Sequence, residues 1–155
     1  MEWHQVASDF ENNGSIREIY VLGTDLSDWQ CIVDTLRGFE PRPIYRLNGM
    51  LTELPIRVEE VFGSHCVGST ILSFIVDDLA VNCHFFVVDE IEFDLDARDV
   101  GGLRQVKSLS SFMQLLGSLT NKVVILSAEN DVTAAILRYS PENRQVAWVS
   151  PQDRR

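Results

Sequence analysis

From Glu90 to Asp96 the chain alternates acid and apolar, residue by residue: Glu90-Ile91-Glu92-Phe93-Asp94-Leu95-Asp96. A period of two is the strand period, because successive side chains leave a β-strand on opposite faces. Ile91, Phe93 and Leu95 are therefore expected in a core, with Glu90, Glu92, Asp94 and Asp96 lining the other face. Same-face neighbours on a strand stand about 6.7 Å apart, so the strand displays a ladder of four carboxylates.

The patterning on either side predicts the remaining elements. Ile16 to Leu22 reads as a strand after an Asn12-Asn13-Gly14-Ser15 turn. A helix follows, with Asp25 as N-cap, Asp28 three residues on, and Leu26, Trp29, Ile32, Val33 and Leu36 at helical spacing. Gly38 is read as its left-handed stop, with Phe39 folding back onto the last turn. Ile44 to Leu47 and Met50 to Glu53 flank Asn48-Gly49, the strongest short hairpin signal. Pro55 is read as opening a short helix through Val58, Val61 and Phe62, closed by Gly63.

Three strands are expected next, at Ser69–Val76, Leu79–Phe86 and Glu90–Leu95, with Asp77-Asp78 as the first turn. After a break at Asp99 to Gly102, the stripe Leu103, Val106, Leu109, Phe112, Met113 and Leu116 predicts a second long helix, and Gly117 is read as its end. Val123 to Leu126 is a further strand. A hairpin closes the chain, Thr133–Tyr139 and Arg144–Val149 around Ser140-Pro141-Glu142-Asn143. Short turns between successive strands imply antiparallel pairing, and helices that come singly must cover one face. The expected fold is one α+β domain over residues 1–155: a mainly antiparallel sheet, two principal helices and a short one in a single layer.

Composition narrows the function classes. The chain has 155 residues, 45% of them hydrophobic, as a globular domain requires. It carries 23 acids against 13 Lys and Arg, a net charge of -10. That field repels nucleic acid and anionic membranes and speeds encounter with cationic partners. No apolar run approaches the roughly 18 residues of a membrane span. Met1-Glu2-Trp3-His4 has neither a basic nor an apolar signal region, so a cytoplasmic location is expected. Cys31, Cys66 and Cys83 are odd in number and widely spaced, the pattern of buried thiols rather than of disulfides or a metal site.

Little points to catalysis. Asp94-Leu95-Asp96 is a D-x-D, but carboxylates spread along a flat strand do not converge on a cation, and the closing Glu of a calcium loop is missing. Cys83 and His84 are adjacent on a strand and point to opposite faces, while His65-Cys66 falls in a loop after Gly63. No nucleophile elbow, P-loop, dinucleotide fingerprint or H-E-x-x-H is present. No catalytic residue, metal ligand or cofactor is assigned. His84 shares a face with Asn82 and Phe86; if the next strand pairs with this one, it borders the ladder and its pKa rises. Trp29 is expected in the core. Trp148 is left as either core or, if exposed beside the ladder, an interface anchor.

Neighbouring carboxylates 6.7 Å apart repel by roughly 0.6 to 2.5 kcal/mol at effective dielectrics of 80 to 20. Arg98, Arg138, Arg144 and Lys122 are the available internal compensators. The ladder reads either as a solvated outer face or as a docking face for a basic partner, formed by Glu90, Glu92, Asp94 and Asp96 with Asp89 and Asp99 at its ends. By size, acidity and lack of catalytic motifs the chain resembles the small immunity proteins of bacterial toxin–immunity systems. Those proteins bind and block a toxin domain, often a basic nuclease. The resemblance is one of overall type; it implies a non-enzymatic inhibitor and assigns no residue. The alternatives are a scaffold or regulatory subunit that binds through an apolar sheet edge, and a metal-dependent enzyme built on the acidic cluster.

Overall fold

The computed structural model describes residues 1–11, 14–64 and 68–154. The Asn12-Asn13 part of the first turn and the His65-Cys66 pair lie outside the described residues.

The strands are β1 (Ile16–Leu22), β2 (Ile44–Leu47), β3 (Met50–Thr52), β4 (Thr70–Val76), β5 (Leu79–His84), β6 (Glu90–Asp96), β7 (Val124–Ala128), β8 (Ala135–Ser140) and β9 (Gln145–Trp148). They form one antiparallel sheet in the order β3-β2-β4-β5-β6-β1-β7-β8-β9. The helices are α1 (Trp3–Val6), α2 (Leu26–Arg37), α3 (Val58–Ser64) and α4 (Leu103–Thr120). The α+β class, the antiparallel pairing and the helical layer on one face are as the patterning predicts.

Why these residues make these elements is largely local. Asp25 caps α2 by accepting from the Asp28 N–H, and Asp28 accepts from the Asp25 N–H in return. Asn48 and Gly49 both take positive φ, which the two-residue hairpin demands. Asp77 also has positive φ and turns β4 into β5. The alternation in β6 becomes strict alternation of burial, with Ile91, Phe93 and Leu95 inside.

The core lies between the sheet and the helices. Trp29 of α2 is fully buried, stacks on Phe85 with ring centroids 4.9 Å apart and meets Phe62 of α3 edge-on at 5.1 Å. Phe112 of α4 packs on Phe74 and Phe93 of the sheet. Such aromatic pairs add to what burial of their area supplies.

Three local readings are corrected, and the open one at Trp148 is decided. Gly38 caps α2 with φ -84, not in the left-handed region, and donates its N–H to carbonyls of the last turn. Pro55 does not open α3, which begins at Val58; the Leu54, Pro55 and Ile56 carbonyls instead accept from the Arg37 guanidinium. Gly117 does not end α4. The helix runs to Thr120 and stops at Asn121, which is left-handed with φ 54. Gly117 is small because Tyr139 lies against it: a Cβ there would sit 2.1 Å from the ring. Trp148 stands opposite Leu137, so it faces the helical side, away from the ladder. Its indole N–H donates to Asp9.

Candidate functional site on the open sheet face

Register aligns the open face into rows that cross the sheet. One row runs Leu51, Arg46, Ile71, His84, Glu92, Tyr20, Ile125 and Arg138. The row beside it runs Ile44, Ser73, Asn82, Asp94, Glu18 and Ser127. The ladder therefore sits on the middle strand of the sheet, with polar groups on both neighbours.

The lower half of the ladder is tied up internally. Asp94 Oδ2 lies 2.5 Å from His84 Nε2, and Asp94 Oδ1 accepts from Asn82 Nδ2 at 2.8 Å. Asn82 in turn accepts from Ser73 Oγ at 2.8 Å. Burial pulls the His84 pKa down, but the Asp94 hydrogen bond and the Asp94, Glu92 and Glu18 carboxylates outweigh it, and the net shift is upward. Burial likewise opposes ionisation of Asp94, and the His84 and Asn82 bonds win, lowering its pKa. Asp96 is held down to about 2 by hydrogen bonds from the Arg98 side chain and backbone.

The upper half is different. Glu90 and Glu92 are half-buried and have no hydrogen-bond or ion-pair partner among the described residues. Burial raises the pKa of both, reinforced by Asp89 and Glu18 around Glu90 and by Glu18, Glu90 and Asp94 around Glu92, where His84 across the strand pair offsets the rise only in part. Each is a carboxylate held at a cost, one that an approaching cation would relieve.

Of the four compensators considered, only Arg98 touches the ladder. Lys122 lies 3.9 Å from Asp28 on α2. Arg138 is exposed three strands from β6, and Arg144 occupies the β8–β9 turn. Asp89 and Asp99 are exposed at the two ends of the strand.

Pairing adds two groups that sequence reading missed. Glu18 of β1 stands opposite Asp94 and is only 4% exposed. It accepts from Tyr20 OH at 2.6 Å and from the Asn130 N–H at 2.7 Å. Nothing local marks it, because its neighbour β6 comes some seventy residues later in the chain. The second group is the β5–β6 loop, where Phe86, Val87 and Val88 are exposed beside the ladder. Phe86 stacks on the His84 ring at 5.0 Å. The Val88 carbonyl accepts from Thr24 Oγ1 and Trp29 Nε1, so the loop backbone is fixed while its side chains face solvent. The signal was the unbroken run Phe85 to Val88, which no alternating strand accommodates.

Cys83 faces the core, and burial raises its thiol pKa far above the ordinary value, which leaves it un-ionised and inert as a nucleophile. Among the described residues no three His, Cys, Asp or Glu side chains converge as a metal set would. No helix of the described residues is long and apolar enough to cross a membrane. No family model, curated protein or solved structure matches the chain.

Proposed function

We propose that the chain is a non-enzymatic binding protein that docks its open sheet face on a basic protein, as an inhibitor of the immunity type does on a toxin domain. The observation that carries this reading is the pair Glu90 and Glu92, two half-buried mid-sheet carboxylates that make no hydrogen bond or ion pair among the described residues, the His84 ring across from Glu92 being bound to Asp94 instead. Phe86, Val87 and Val88 supply the apolar part of such an interface, next to the charges rather than remote from them. Exposed aliphatic and aromatic anchors beside a charged patch give affinity, while the charge supplies steering and register. Because the loop backbone is already hydrogen-bonded to α2 and its entry, docking costs little ordering entropy.

A tagged chain recovered from its own host at low and moderate salt tests this. A basic protein that co-purifies at low salt and is lost at higher salt is the expected result. Reversal of both Glu90 and Glu92 to Lys should abolish recovery without lowering the melting temperature. An unchanged yield from a normally folded double variant would sink the proposal.

Met50 and Leu51, each 74% exposed on the edge strand β3, favour a second reading in which that edge makes the contact. It predicts a partner retained regardless of salt and indifferent to the double reversal.

A further inference from the structure

A cavity of about 660 Å³ opens at the β3 end of the molecule, away from the ladder, between the β2–β3 hairpin, the end of α2 and the chain that follows β3. Its volume is that of a small-molecule site, within the roughly 300 to 1,000 Å³ such sites span, and too small for a folded partner. Pro43, Ile44, Leu51 and Leu54 give it apolar walls. Tyr45 also lines it, is 3% exposed, and carries a hydroxyl that is buried with no hydrogen-bond partner. A buried donor left unmade is costly and uncommon. Burial raises the Tyr45 pKa, so the group keeps its proton and offers it to an acceptor.

The charges at the cavity decide the sign of the ligand. Arg37, Arg42 and Glu53 line it, a net of one positive charge in a chain whose total is -10. Arg37 is committed, bound to Asp34 and to the carbonyls of Leu54, Pro55 and Ile56. Arg42 is exposed and has no partner among the described residues. A single free guanidinium matches one carboxylate in a bidentate fork. A polyanion would meet Glu53 and the surrounding negative field instead.

We propose that this cavity binds a small amphipathic monocarboxylate, its charge on Arg42, its hydrocarbon body against Pro43, Ile44, Leu51 and Leu54, and an acceptor oxygen satisfying the buried Tyr45 hydroxyl. The site lies at the β3 edge of the sheet, four strands from Glu90 and Glu92, and neither needs the other.

Sodium octanoate, below its micellar range, is the probe. It is titrated into the full chain at neutral pH by calorimetry, with methyl NMR locating it. Saturable binding is expected, with shifts at Leu51 and Leu54, and at least about tenfold weaker binding of octylammonium and of 1-octanol, the loss of one charged hydrogen-bonded contact. Arg42→Ala should weaken octanoate about tenfold. Tyr45→Phe should weaken it several-fold while the melting temperature of the free protein holds or rises, since the orphaned hydroxyl is gone. A residue that served only the fold would lose melting temperature when truncated. The proposal is overturned if octanoate does not saturate, if octanol binds as well, if both variants bind as the parent does, or if the shifts fall on Phe86 to Val88 instead.

Discussion

The His84–Asp94 pair should make the stability of this protein depend on pH in a defined direction. Replacement of Asp94 by Asn keeps the acceptor for Asn82 and removes the charge facing His84. The pair joins β5 to β6 at 2.5 Å with both side chains less than a fifth exposed. A hydrogen bond to a charged partner in such a setting contributes about 1.5 to 3 kcal/mol. At about 2 to 4 °C per kcal/mol for a chain of this size, Asp94→Asn should lower the melting temperature by about 3 to 12 °C. The sign follows from the two shifts. His84 is raised above 6.5, so its contribution is complete below pH 6.5 and disappears as pH climbs through the folded value. Asp94 is lowered below 3.8, so its contribution is complete above that pH and disappears as pH falls through the folded value. The deficit of the variant should therefore be greatest between about pH 4 and 6.5 and should shrink in alkaline solution. Thermal melts of parent and variant from pH 4 to 9, with an NMR titration of the His84 ring, measure it. A deficit that is flat across that range, or a His84 pKa at or below 6.5, would refute the reasoning.

Two further predictions concern packing at the far side of the sheet. Gly117→Ala should destabilise by about 1 to 3 kcal/mol in urea, despite the better helix propensity of Ala, because its Cβ would meet the buried Tyr139 ring. An unchanged midpoint would show that the ring can move aside. Arg154→Ala should cost about 1.5 to 3 kcal/mol by denaturant titration, since it removes the guanidinium that grips the half-buried Asp9 carboxylate through both Nη atoms and leaves it the Trp148 N–H; a loss under 1 kcal/mol would mean solvent replaces the guanidinium.

What could be read in the sequence was whatever a short window encodes. Strict alternation fixed both faces of β6, the Asp25 and Asp28 pair marked the start of α2, and Asn48-Gly49 named a turn that needs two positive φ values. Gly117 failed because a glycine inside a helical stripe looks the same whether it ends the helix or admits a ring from another strand. Helix α1 and the 3-10 turn Ala7–Phe10 went unread, being too short to show a period. The ladder's carboxylates were all legible, but their environment was not. Arg98, two residues from Asp96, was legible as a compensator, and His84 as a neighbour once β5 pairs with β6; that Glu18 joins the ladder and that Glu90 and Glu92 are left over follow from pairings the local pattern does not contain.

Carboxyl footprinting tests the docking account most directly. Carbodiimide labelling, read by mass spectrometry, compares the free chain with the complex recovered from its host. The account predicts that Glu90 and Glu92 label in the free chain and are protected in the complex, while exposed Glu142 in the β8–β9 turn labels equally in both. Unchanged labelling of Glu90 and Glu92 in a formed complex would contradict it and move the interface elsewhere.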